Sequence, residues 1–228
     1  MVTVCWSVKG GSGVTVTCTA LALLRARAWS RSVLLVDLSG DGALVLGFDA
    51  AVEGAGVHDW LNADSSVAPS SLEQLIIIGP KGLRILPAGR SRCTAPPPAR
   101  LAALAGWLAE RNDHVIIDLG TNLALRPALL ACADESLLVL PLCYLAGRAA
   151  VAAERPSGLI IVEEPDRTLT CHDLVDALGV PIVARVPHDS TVAKSVDTAT
   201  LTTHMPRVLG RALRSLTTEP VDVDRQVA

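Results

Sequence analysis

A single α/β domain, built as a doubly wound and mostly parallel sheet with helices on both faces, is the fold the sequence predicts. Three observations predict it. Half of the 228 residues are apolar yet only four Trp, one Tyr and one Phe are present, so the core must be assembled from Ala, Val, Leu and Ile. The aliphatic residues gather in continuous runs, the habit of strands buried on both faces of a parallel sheet. Between the runs lie segments suited to helices in length and composition, and this alternation argues for repeated βα units. A chain of this length buries enough apolar surface to fold without disulfide or metal staples. Residues 1–216 are expected to form the one domain.

Taken in order, Val2–Val8, Val33–Leu38, Val115–Leu119, Ser136–Leu140, Leu159–Val162 and Ile182–Val186 read as buried strands. Val14–Trp29, Ala99–Arg111, Leu123–Ala133, Leu145–Ala153 and Cys171–Leu178 read as the intervening helices. Leu75–Ile78 and Leu83–Leu86, separated by Gly79-Pro80-Lys81-Gly82, predict a short hairpin or two short strands around a turn. The stretch Gly89–Pro98 ends in three consecutive prolines and is expected to be a surface connection. The tail from Thr217 to Ala228 is polar and acidic and holds a proline, so disorder is expected there.

Composition narrows the class of function. A net charge of −3 gives no general attraction to nucleic acid or to anionic lipid, although it is compatible with a local basic patch. The six cysteines (Cys5, Cys18, Cys93, Cys132, Cys143, Cys171) are scattered without a C-x-x-C pair, which points to neither a disulfide framework nor a zinc site. Val2–Val8 is too short for a signal h-region and lacks a basic n-region before it. The longest apolar stretch, Ala128–Ala146, is broken by Asp134 and Glu135. A reduced, cytoplasmic protein is expected.

The segment that carries chemistry is Val4-Cys5-Trp6-Ser7-Val8-Lys9-Gly10-Gly11-Ser12-Gly13-Val14-Thr15. It runs from strand through glycine-rich loop into helix, the context a phosphate loop requires. Glycines permit tight turning and close backbone approach, and amides at the start of a helix point at an anion with the helix dipole behind them. Lys9, Gly10, Gly11, Ser12, Gly13 and Thr15 are therefore candidate nucleotide-binding residues, with Thr15 placed to offer a hydroxyl to Mg²⁺.

This segment resembles the phosphate loop of the ParA/MinD family of deviant P-loop ATPases, whose loop reads K-G-G-x-G-K-[ST] where this one reads K-G-G-S-G-V-T. The resemblance covers nearly the whole chain. Val33-Leu34-Leu35-Val36-Asp37-Leu38-Ser39-Gly40-Asp41-Gly42 is similar to the family's second strand and switch I, His114–Gly120 to its Walker B strand, and Ala177–Asp189 to its late LGVPVLG-x-IP-x-D segment. The resemblance implies a P-loop NTPase-like fold, ATP and Mg²⁺ as cofactors, and Thr15, Asp37 and Asp118 about the metal. It also implies that Lys9 reaches across a homodimer.

Three departures bear on activity. Val14 replaces the lysine that contacts the β and γ phosphates, Ser39 replaces a second switch I acid, and Glu163-Glu164-Pro165 stands where relatives carry an adenine-reading Asn. Asp41 would replace the missing acid only in a reshaped loop. Lys81, Lys194, Arg148 and Arg185 are the other cations considered for the lysine's role, and nothing in the sequence places them there. The resemblance, with these departures, implies a positioning or scaffold protein of cell division, chromosome partitioning or pilus localisation, with weak or no ATP hydrolysis. Degenerate loops occur in the TadZ/CpaE branch, so that branch is one expectation. The alternatives are a slow but genuine Mg²⁺-dependent ATPase, with Lys9 or an arginine taking over the phosphate contacts, and a nucleic-acid-binding partition protein, the last disfavoured by the charge balance. Expected partners are a second copy of the chain and an unidentified protein.

The last expectation concerns Pro206–Leu216, where Arg207, Arg211 and Arg214 share one side of a helix and Leu209, Leu213 and Leu216 the other. Such a helix can lie on an anionic membrane, as in MinD relatives, or pack its leucines onto the sheet. Packing is favoured, because no aromatic anchor is present and Glu219, Asp222 and Asp224 follow.

Overall fold

The aliphatic runs zip into one sheet because each is apolar on both faces and has to be covered twice. In the computed structural model, residues 1–48 and 53–219 are described. The chain begins β1 (Val2–Trp6), α1 (Val14–Ala28), β2 (Val33–Asp37), α2 (Gly42–Val45) and α3 (Val57–Asn62). It continues through β3 (Ile77–Ile78), β4 (Arg84–Leu86), α4 (Pro98–Ala109), β5 (His114–Gly120), α5 (Arg126–Ala131) and β6 (Glu135–Pro141). Then come α6 (Tyr144–Val151), β7 (Gly158–Val162), α7 (Cys171–Leu178), β8 (Ile182–Val186), α8 (Ser190–Asp197) and α9 (Arg207–Ala212).

The eight strands run in the order β3-β4-β2-β5-β1-β6-β7-β8, and every pairing except β3 with β4 is parallel. Alternate side chains divide the core. Val4, Trp6, Leu34 and Val36 face a cluster under α3, α4, α6 and α7, while Cys5, Val33 and Leu35 face one under α1, α2 and α9. The predicted doubly wound α/β architecture is thus present. β1 lies between β5 and β6, so the chain leaves it to opposite sides and opens a crevice at its C-terminal end, where such sheets bind ligands.

Several elements differ from the sequence expectation for local reasons. The first strand stops at Trp6, where its register against β5 shifts. Leu75 closes a 3₁₀ turn (Pro69–Leu75), so only Ile77–Ile78 joins the hairpin. The helix expected from Leu123 starts at Arg126, because the Asn122 carboxamide oxygen accepts from the Ala124 and Leu125 amides and holds a turn there (3.1 and 3.3 Å). α2, α3 and α8 were not foreseen. α8 follows an N-cap visible in the sequence, since the Asp189 carboxylate accepts from the Thr191 amide at 2.7 Å.

At the C-terminus the expected helix divides into α9 and a 3₁₀ turn (Arg214–Thr217). Leu209, Leu213 and Leu216 are buried in the core on the α1 side of the sheet, as the packing alternative requires, and Arg207, Arg211 and Arg214 face outward beside Arg27. Buried Arg25 ties this end to the sheet, donating to Thr3 Oγ1, to Glu135 Oε2 and to the Leu216 carbonyl at 2.7, 2.9 and 2.9 Å. Of the segment expected as a tail, Thr217 accepts from Trp29 Nε1 (2.8 Å) and Glu219 from the Ser30 amide (3.1 Å). Residues 220–228 lie outside the described residues. Trp29→Phe, which deletes one hydrogen bond and the part of the buried indole that packs on Arg25 and His114, should lower unfolding free energy by about 2 kcal/mol, measured in urea.

Among the described residues no helix is long and apolar enough to cross a membrane. All six cysteines are free.

Candidate functional site

The glycine-rich loop is fastened at its base before it turns. The Ser7 amide donates to the Gly120 carbonyl (2.8 Å) and the Ser7 hydroxyl to the Val139 carbonyl (2.7 Å), which pins the loop between β5 and β6. The Ser12 hydroxyl then donates to the Lys9 carbonyl at 2.6 Å and closes the turn. Gly11 (φ 72°) and Gly13 (φ 78°) take left-handed conformations that side-chain-bearing residues adopt only with strain. Gly13 is the N-cap of α1, so no side chain caps the helix, and its first turn contains no acid. The amides there are left for an anion.

A Cβ added at Gly10 or Gly11 would meet nothing within 4 Å, so the loop's outer side faces open space. That space is a pocket of about 550 Å³ bounded by residues 9–16, Ser39, Asp41, Arg92 and Asn122. All six predicted nucleotide-binding residues line it.

The three predicted metal-associated residues also come together. Asp37 and Asp118 are direct register partners across β2 and β5, and both are fully buried. Ser39 stands between them, with its hydroxyl oxygen 3.0 Å from Asp37 Oδ1 and 2.6 Å from Asp118 Oδ2 while accepting from the Thr15 hydroxyl at 3.1 Å. Asp37 further accepts from the Gly40 and Ala43 amides (2.8 and 3.1 Å) and Asp118 from the Gly120 amide (3.2 Å). Burial, then the neighbouring Asp37 charge, pushes the Asp118 carboxyl up to about 7 against the opposing hydrogen bonds of Ser39, Thr15 and Gly120. Ser39 has one hydroxyl proton for two carboxylates, and a proton on Asp118 completes the network.

Thr15 and Ser39 line the pocket while both acids stand behind Ser39. Among the described residues no group of three or more His, Cys, Asp or Glu could hold a metal ion by itself. The arrangement therefore fits a cation brought in with a phosphate and supported by Thr15, with the acids acting from behind.

Val14 begins α1 with its side chain 6% exposed and packed into the core on that side of the sheet. Of the cations named from the sequence, Lys9 borders the pocket as part of the loop itself, and the other four do not line it. Lys81 sits in the β3–β4 turn and Lys194 on α8, away from the pocket, and Arg185 is ion-paired with Glu163. Arg148 lies on α6 and does not line the pocket either.

Sequence reasoning missed Arg92 and what holds it. The Asp59 carboxylate on α3 accepts from the Gly56, Arg90 and Ser91 amides (2.8, 3.1 and 3.2 Å). His58 accepts from the Cys93 amide through Nδ1 (3.3 Å) and contacts the Leu38 carbonyl through Nε2 (3.2 Å), so it bridges the end of β2 to the loop. Burial lowers the His58 pKa and keeps the ring neutral, as an accepting Nδ1 demands. Gly56 makes the close approach possible, since a Cβ there would sit 2.3 Å from the Pro87 carbonyl and the Gly89 amide. The connection expected to be a mere surface loop is thus strapped down, and it borders a second cavity of about 600 Å³ that shares Ser39, Arg92 and Asn122 with the first. The only sequence signal was Gly56 followed three residues later by an acid.

On the other side of Gly13 lies a recess of about 370 Å³ between the ends of β7 and β8, walled mainly by Val16, Val162, Val186, Pro187, Val192 and Leu209. Glu163 and Glu164, which stand where an adenine-reading Asn was sought, lie on its rim. They are paired with Arg185 and Arg167.

No protein-family model matches the sequence, and no curated protein sequence matches it. Solved structures do. A ParA family ATPase from Chlorobium tepidum superposes with a TM-score of 0.77 at 20% identity, over 95% of this chain and 96% of that one. The septum site-determining protein MinD of Pyrococcus horikoshii, complexed with Mg-ADP, gives 0.76 at 22% identity over 95% of each chain. A MinC:MinD cell division protein complex from Aquifex aeolicus gives 0.71 at 17% identity over 96% of each chain. With the β1–loop–α1 crevice and the sheet order in place, these likenesses over nearly full length show that the chain has the ParA/MinD-like P-loop ATPase fold.

Proposed function

We propose that the chain is a positioning or scaffold protein of the ParA/MinD type that binds nucleotide weakly and turns it over slowly or not at all. One observation carries the reading: the phosphate cradle of residues 9–15 is open and uncapped, while Val14, at the position of the phosphate-contacting lysine, is turned into the core. Backbone amides of the loop would hold the phosphates, and Thr15, with Asp37 and Asp118 behind it, would support Mg²⁺. The MinD of Pyrococcus horikoshii carries Mg-ADP, which is the ligand class this reading assigns. The recess beside Gly13 would take the base.

Loss of the lysine removes charge-assisted bonds worth about 1.5–3 kcal/mol each, or about ten- to a hundredfold in affinity. Calorimetric titration with MgATP should therefore give a dissociation constant of hundreds of micromolar or weaker. Low-micromolar, Mg²⁺-dependent binding with rapid phosphate release would replace this reading with that of a working ATPase, which the presence of Asp41 on the pocket wall favours.

The proposed assembly is a homodimer through the phosphate-loop face. Exposed Leu123, Tyr144 and Leu145 follow the C-terminal ends of β5 and β6, on the same edge as the loop, and an apolar edge of this kind suits an interface. Sedimentation at high micromolar concentration should show a weak dimer, tightened by nucleotide, and a strictly monomeric protein would count against it. The Aquifex MinD is seen with MinC, and a second protein is likewise assigned here as the partner that reads the dimer.

A further inference from the structure

We propose that Arg92 is the cation that serves the phosphate loop in place of the lysine missing at Val14. The inference rests on the reading of residues 9–15 as a phosphate cradle and names the residue that completes it. Arg92 lines the same pocket as Lys9, Gly10 and Thr15, although it lies far from them in sequence. Its guanidinium comes within 3.7 Å of a Cβ built at Gly40, one residue from Ser39, and so it sits beside the Thr15–Ser39–Asp118 cluster. Among the described residues its side chain makes no ion pair or hydrogen bond, and its only polar contact is through its carbonyl, from the Asn62 side chain at 3.4 Å.

The backbone that carries Arg92 is held far more firmly than an exposed loop requires. Asp59 binds the amides two residues and one residue before it, His58 binds the amide after it, and Asn62 binds its own carbonyl. A guanidinium delivered by a fixed backbone, with no hydrogen-bond or ion-pair partner among the described residues, lying at the mouth of an uncapped helix N-terminus, is arranged for an anion from outside. Its planar fork suits two phosphate oxygens at once. Arg90, two residues earlier, lines only the neighbouring cavity and serves as the control. The ligand chemistry is an oligophosphate: a nucleoside di- or triphosphate rather than a monophosphate, because the loop amides and Arg92 approach the pocket from different walls.

The test uses inorganic triphosphate, ATP and AMP as probes in calorimetric titrations, each with Mg²⁺. The full-length protein, Arg92→Ala, Arg92→Lys and Arg90→Ala are compared, each also in a Val14→Lys background. Arg92→Ala should weaken triphosphate and ATP binding about tenfold and leave AMP within about twofold. Arg92→Lys should recover part of the loss and Arg90→Ala should behave as the parent. In the Val14→Lys background the Arg92 effect should shrink, because the lysine then neutralises part of the phosphate charge that Arg92 otherwise meets alone from outside the loop. Thermal unfolding of Arg92→Ala should match the parent, since the side chain makes no hydrogen bond or ion pair among the described residues. Equal affinities for parent and Arg92→Ala in both backgrounds, with Val14→Lys binding ATP well, would overturn the Arg92 assignment and leave the cradle reading standing. No binding of any probe by either background would overturn both.

Discussion

Val14→Lys should raise the affinity for MgATP by about ten- to a hundredfold and leave hydrolysis slow. The gain follows from restoring a charged donor to a loop whose amides already face open space. Room for the longer side chain exists, because Val14 borders the pocket as well as the core. Some stability is lost with the buried isopropyl group, about 1–2 kcal/mol by apolar area, and bound ligand offsets it. Turnover stays slow for a different reason. Ser39 stands where the second switch I acid is expected, and its hydroxyl is engaged between Asp37 and Asp118, so it does not orient a water molecule in the pocket. Titration calorimetry and phosphate release on the same preparation separate the two effects. Recovery of both binding and rapid hydrolysis would show that Asp41 has taken over the acid's role. No gain in binding would mean that the loop is no longer a phosphate site.

The sequence carried the fold because buried parallel strands declare themselves as unbroken aliphatic runs, and the glycine-rich loop marked the crevice in the sheet. Thr15, Asp37 and Asp118 were legible as one group only through the resemblance of their three segments to the ParA/MinD motifs. The structure supplies the register, in which Asp37 at the end of β2 stands opposite Asp118 in β5. Arg92 was illegible. It lies in a proline-rich connection with no periodicity, and what fixes it is a set of side-chain-to-amide bonds from α3, a helix too short and too weakly patterned to stand out. Distant pairings of this kind are invisible to local propensity. The exposed arginine face at the C-terminus was legible for the opposite reason, since i, i+4 spacing alone sorted Arg207 and Arg211 from Leu209 and Leu213.

Asp118→Asn should make the protein more stable at pH 8, by up to about 4 kcal/mol, with about a third of that gain already present at pH 5. The carboxyl titrates near 7 in the folded chain and near 4 when unfolded, so between those values the folded state holds a proton that the unfolded state does not. For an acid raised on folding, stability falls as pH rises through that window and stays low above it. About three pKa units correspond to about 4 kcal/mol, an upper figure because structure relaxes around a buried charge. Asparagine is nearly isosteric with the protonated acid. It keeps an acceptor for the Gly120 amide and a donor for Ser39, and it cannot ionise beside Asp37. His114 works in the opposite direction, because burial lowers it to about 4 and its contribution is lost as pH falls from about 6.5 to 4. That term is common to both proteins and cancels in their difference. Urea unfolding of parent and variant at pH 5, 6, 7 and 8, in chelator and without magnesium, reads the effect directly. The two stability curves should diverge with rising pH and run level above about 7.5. Parallel curves across the range would show that Asp118 is already ionised in the folded chain and that its neighbours supply more positive potential than Thr15, Ser39 and Gly120 account for.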